Sequence, residues 1–222
     1  AISMILVLGI SIPDTAHAGN KRKCDSIKAC KPLAEKGNMK AQIFLAKAYD
    51  YGRVTKPDPE KAMKWYQKAA DQNHRWAILK IADMYDQGRG VEANHNKAIK
   101  FYRKAAQQGH FKAQYKLAAK YKLGNCVEKD YEKAAHWYRQ SAKHGYQKAQ
   151  KALGMLYKKG LGVPQHYKTS YIWLNLAAAQ GHDKAYSYRK KMAARLTKEV
   201  LIEAQEQAKK YYKKYVASCK CR

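Results

Sequence analysis

A period of 36 residues runs through this chain. The segments "KAMKWYQKAA" at Lys61, "KAIKFYRKAA" at Lys97 and "KAAHWYRQSA" at Lys133 begin 36 residues apart. Four units, 41–76, 77–112, 113–148 and 149–184, fit that period with no insertion or deletion. A motif that recurs at fixed spacing marks a packing position, because each unit is one supersecondary element that buries its apolar face only against a neighbour. Crowded aromatic, histidine and lysine residues therefore read here as structure before chemistry.

Each unit opens with apolar residues at i, i+4 and i+8: Ala41, Leu45 and Tyr49, then Ala77, Ile81 and Tyr85, then Ala113, Leu117 and Tyr121, then Ala149, Leu153 and Tyr157. That spacing is one face of an α-helix. A turn follows, clearest as "GRGV" at Gly88 and "GLGV" at Gly160, with Val54 and Cys126 standing where the second glycine would be. Asp58, Asn94 and Asp130 hold a capping offset, Pro59 follows the first of them, and His166 holds the offset in the fourth unit. The second helix carries a stripe at offsets 0, 3, 4, 7 and 8, as in Ala62, Trp65, Tyr66, Ala69 and Ala70. Its small residues allow close helix approach and its aromatic pair fills the gap to the next unit. Two helices per unit, each apolar on one face, predict an all-α solenoid of about four helix pairs.

The ends differ from the repeat. "AISMILVLGISIPDTAHAGNKRK" joins an apolar run to the small-residue triplet Ala16-His17-Ala18, the layout of a signal peptide over 1–18 with a mature chain from Gly19; a buried N-terminal helix is the alternative. No other apolar stretch approaches the length of a transmembrane helix. Segment 19–40 is expected to be a half-repeat cap, with Ala34 at the Ala70 offset. Residues 185–222 are expected to form a helical cap and basic tail, with Thr197 capping a final helix. Five cysteines in an exported chain suggest disulfides. Cys24 and Cys30 can bridge only if the chain turns between them, since a regular helix would hold their Cα atoms ~9 Å apart.

The combination A-x-x-x-L-[AG]-x-x-Y, G-x-G-V and K-A-x-x-W-Y-x-x-A-A-x-x-G at this period resembles the Sel1-like repeat family, relatives of the tetratricopeptide repeats. The passages "ALGMLYKKGLGVPQHY" at Ala152 and "KAIKFYRKAAQQGH" at Lys97 carry the resemblance most fully. It implies a right-handed α/α superhelix and an adaptor that holds another protein. It also implies that the first helices line the concave surface, which makes Gln42, Lys80, Asp83, Gln114, Lys116 and Lys120 the candidate partner contacts. A cysteine-rich branch of the family is associated with β-lactam binding or hydrolysis, with a disulfide in each repeat. Here only Cys126 lies inside the four units, so a hydrolase is the weaker rival.

Catalytic and metal motifs are missing from the sequence. No G-x-S-x-G, Walker loop or H-E-x-x-H occurs. His74, His110 and His182, with Tyr146 in the fourth place, fall one per unit and are expected along a solvated ridge, where they cannot converge on one metal. No cofactor is expected. Lysine and arginine number 45 against 17 acidic residues, a formal net charge of +28. Such a surface attracts anionic partners. For an exported chain these are acidic proteins or anionic envelope components rather than nucleic acid, and the lysines at 190–191 and 209–214 would carry a polyanion-binding rival.

Overall fold

The sequence period returns as helix boundaries. A computed structural model describes residues 24–219; the signal-peptide reading and the last three residues lie outside the described residues. After α1 (Ile27–Glu35) come four pairs: α2 (Met39–Tyr51) with α3 (Pro59–Asp71), α4 (Arg75–Gln87) with α5 (His95–Gln107), α6 (Phe111–Leu123) with α7 (Tyr131–Lys143), and α8 (Gln147–Lys159) with α9 (Tyr167–Ala178). Then follow α10 (Asp183–Ala193) and α11 (Lys198–Tyr215). No strand occurs among the described residues. The chain is an all-helical solenoid.

Local chemistry sets the helix ends. Asp58, Asn94 and Asp130 each accept the N–H of the residue three positions on, at 2.9, 2.9 and 2.8 Å. His166 does the same work with a ring nitrogen, its Nδ1 accepting Thr169 N–H at 3.1 Å. Each such cap stabilises a helix start by about 1 kcal/mol. The second glycine of each G-x-G turn meets the preceding unit: a Cβ at Gly90 would collide with the Pro59 backbone, and one at Gly162 with that of Tyr131 and Glu132. Cys126 keeps the left-handed backbone of this position with φ 58 and stands exposed, whereas Val54 gives it up.

The second helix of each unit packs on its own first helix and on the next one, as α3 does on α2 and α4. Alanine makes this approach possible: Ala62, Ala69, Ala98, Ala105, Ala134 and Ala142 are fully buried. Tyr66, Tyr102 and Tyr138 fill the gaps between units and are 2% exposed or less. One core runs from Ala46 to Val216, with a small satellite of Cys30, Ala34, Ala41 and Leu45 beneath α1.

Among the described residues a further helix packs on each end of the four pairs. At the N-terminal end α1 stands in for a second helix and buries Ala34 fully. Because Cys24 precedes the helix start, the chain turns and the Cys24–Cys30 disulfide forms with Cα atoms 4.9 Å apart. At the other end α10 begins 36 residues after α8, but the link to α11 is cut to 194–197 where α8 and α9 are joined by 160–166. The long α11 covers α9, with Trp173 ringed by Tyr211 at 5.7 Å and Tyr215 at 6.1 Å. Thr197 Oγ1 caps α11 by accepting Val200 N–H at 3.4 Å. Its outward positions, among them Glu206, Lys209, Lys210 and Lys213, are exposed.

Candidate functional site

Since the backbone repeats, surface function has to arise where residue type departs from the period. The seams between units show such a departure. At the first seam Asp50, its side chain fully buried, accepts the Tyr66 hydroxyl at 2.9 Å and lies 2.6 Å from Arg89 of the next unit. The Arg89 contact is one of charge, since Asp50 Oδ1 receives no aligned hydrogen bond. At the second seam Asp83 accepts Tyr102 O–H and Lys116 Nζ, both at 2.8 Å, and Asp86 takes Lys120 at 2.6 Å and His95 at 2.9 Å. Partial burial pushes the Asp86 carboxyl up, but Lys120 and His95 outweigh it and hold it below its ordinary value.

At the third seam the acids are gone. The offset of Asp50 and Asp86 is occupied by Lys122 and then Lys158, and that of Asp83 by Ala119. Lys116 and Lys120 give way to Ala152 and Leu156. What remains is a groove of about 780 Å³ across α6, α8 and α10, lined by Lys122, Lys129, Lys148, Lys151, Lys159 and Lys184 with no carboxylate among the described residues. None of these six lysines makes an ion pair among the described residues. Tyrosines 115, 131, 138 and 188 line the same groove. Tyr138 packs against Tyr115 with centroids 5.6 Å apart, and its hydroxyl has no hydrogen-bond partner among the described residues. Burial raises the phenol pKa of Tyr66, Tyr102 and Tyr138 alike; a facing aspartate raises the first two further.

The candidates taken from the family's concave face separate into three kinds. Gln42 and Gln114 were expected outside the core, yet they are 3% and 4% exposed. Each amide donates to the last turn of the preceding helix, Gln42 to Ala34 O and Gln114 to Ala106 O, both at 3.1 Å. Gln150 repeats the contact on Ala142 O at 3.2 Å, so this offset is a tie between helices. Asp83, Lys116 and Lys120 are half-buried and held in ion pairs across the second seam, Lys116 with Asp83 and Lys120 with Asp86. Lys80 makes no ion pair among the described residues and lies over the Tyr51 and Trp76 rings at 5.1 and 5.3 Å.

The histidine ridge is corrected as well. His74, His110 and His182 occupy the N-cap positions of α4, α6 and α10, and His74 Nδ1 accepts Ala77 N–H at 3.3 Å. His110 is 7% exposed and stacks on Phe111, and burial, with Arg75 and Lys112 nearby, pulls its pKa down to about 4. The groove residues were missed by motif reading. Their signal was available in the offset series Asp50, Asp86, Lys122, Lys158, which reverses charge halfway along the array.

No helix among the described residues is long and apolar enough to cross a membrane. The Sel1 repeat profile matches residues 40–74, 77–110, 111–146 and 147–182. A Sel1 repeat protein from Oxalobacter formigenes is similar in structure, with 31% identity and a TM-score of 0.71, over 75% of this chain and 48% of that one. So is c5321, a protective antigen of uropathogenic Escherichia coli strains with an SLR fold, at 28% identity and a TM-score of 0.60, over 87% of this chain and 49% of that one. The chain thus spans about half the length of these two solved proteins. No curated protein sequence matches it significantly. Four matched repeats laid on four helix pairs make this chain a member of the Sel1 repeat family, whose proteins generally mediate protein–protein interaction.

Proposed function

We propose that this chain is an exported, non-enzymatic scaffold that binds a protein partner on the face built by α6, α8 and α10. The observation that carries this reading is the groove whose six lysines have no counter-charge among the described residues. Unpaired lysines beside tyrosine rings suit a partner that brings acidic groups and apolar contact together. The remaining positive charge assists encounter over about one Debye length, ~8 Å at physiological salt. Export is supported by the signal-like N-terminal sequence and by the Cys24–Cys30 disulfide, a bond that persists in oxidising compartments.

The test is a pull-down from cell-envelope extract with the chain from Gly19 onward, eluted with rising salt. A discrete protein retained at high salt and lost on Lys151→Glu supports the reading. Release of polyanions alone at moderate salt, unchanged by Lys151→Glu, overturns it in favour of diffuse charge binding through the α11 lysines. Turnover of nitrocefin by the purified chain would overturn the non-enzymatic part.

A further inference from the structure

The second and third seams hold the same tyrosine in different company. Tyr102 donates to Asp83 at 2.8 Å, and Lys116 reaches the same carboxylate. One period on, Tyr138 is kept, while Ala119 and Ala152 replace the acid and the lysine. The donor remains and its acceptor has been removed. Tyr138 is 2% exposed, lines the groove, and leaves its hydroxyl unpaired among the described residues. The ring is buried but the hydroxyl is not among the buried unpaired polar atoms, so it stands open to the groove as a donor available to an incoming acceptor.

We propose that the groove is a carboxylate site completed in trans: an Asp or Glu side chain from an acidic segment of the partner accepts the Tyr138 hydroxyl and pairs with Lys122 and Lys151. It takes the place that Asp83 holds one unit earlier, and neighbouring acids of the same segment meet Lys148, Lys159 and Lys184. The chain itself supplies the precedent for the ligand, because in both preceding seams this tyrosine donates to a carboxylate. A second copy is a poor occupant, since two chains of formal charge +28 repel. A flat bilayer does not bring its head groups to a donor at the floor of a groove. The inference rests on the scaffold reading above and narrows it to a ligand chemistry.

The experiment is fluorescence anisotropy with the chain from Gly19 onward. The probes are an amidated, fluorescein-labelled peptide of alternating Glu and Ala, its Gln counterpart, tripolyphosphate, oligothymidylate and phosphatidylglycerol vesicles. The Glu peptide is expected to bind and the Gln peptide not. Tyr138→Phe should weaken binding about ten-fold with an unchanged melting temperature, because the hydroxyl has no partner to lose within the fold. Lys122→Asp restores an acid at the Asp86 offset and should abolish binding. Lys210→Asp, the same change of charge on the exposed face of α11, should alter it by less than about two-fold.

Equal losses for Lys122→Asp and Lys210→Asp, or no effect of Tyr138→Phe, would overturn the proposal. So would tighter binding of tripolyphosphate, the oligonucleotide or the vesicles than of the Glu peptide. If Lys122→Asp fails to fold, Tyr138→Phe decides the matter alone. An envelope protein captured through Lys151 without any binding of the Glu peptide leaves the scaffold reading standing and the carboxylate site refuted; capture and peptide binding both failing refutes the two together.

Discussion

The first two seams of this solenoid and the third share a backbone and differ in who supplies the acid. Asp50, Asp83 and Asp86 close the early seams with ion pairs to the following unit. Among the described residues, the third seam lines its groove with six lysines and no acid. In a repeat protein the packing residues are bound to recur, so an opening is made by changing the polar residues that fasten one unit to the next. The early half of the array spends its charges on itself, and the late half presents them outward.

The comparison is broken most severely at Asp50. Replacing it by Ala strands the Tyr66 hydroxyl and the Arg89 guanidinium, which should lower unfolding free energy in urea by about 3 kcal/mol. Lys122→Ala, at the matching offset of the third seam, should change it by less than about 0.5 kcal/mol. Equal effects would show that the two seams are fastened alike.

Acid provides the next largest contrast. His110 is held neutral in the fold at a pKa of about 4, while the unfolded chain takes up its proton near 6.5. The unfolded state therefore binds more protons between those values, and stability is lost as pH falls from about 6.5 to about 4, by roughly 2 kcal/mol. Tyr146, at the same offset beside the third seam, has its pKa raised by burial and does not titrate in that window. Urea midpoints measured across the range should flatten in His110→Asn; an unaltered slope would assign the acid sensitivity elsewhere.

Smaller differences sharpen the picture. Tyr102→Phe leaves Asp83 short of a donor and should cost about 1 kcal/mol, while Tyr138→Phe should be neutral to stability. Lys116→Met removes a half-exposed ion pair and should cost about 0.5 kcal/mol or less, an effect that fades as salt is added. A salt-insensitive loss would point to the contact of the Lys116 ammonium with the Tyr102 ring, 5.5 Å from its centroid, instead.

Much of the fold was legible because its determinants are local and repeated. The glycine ends of the first helices, the caps at Asp58, Asn94 and Asp130, and the alanine-aromatic stripe each speak four times or nearly so. The cap at His166 was harder to see, since histidine takes that role only through a neutral ring nitrogen. Gln42 and Gln114 were placed on the wrong side of the helix for a physical reason: a polar residue recurring at one offset inside a solenoid is as well suited to tie helix ends as to face a ligand. The groove opens where the counterparts of pairs such as Lys116 with Asp83, 33 residues apart, have been replaced. Such contacts are set by the rotation between units, which no short motif encodes. Only the comparison of matching offsets, acid by acid, exposes the gap.

The uninterrupted register has a further consequence. Because every unit starts at the same offset, a residue number divided by the period states both how far along the array a side chain lies and which way it points. A partner that engages the third seam is thereby held at a fixed distance from every other seam, and the solenoid acts as a ruler whose graduations are its units. Changes at one graduation leave the spacing of the rest untouched, so specificity can shift along the rod without the rod being rebuilt.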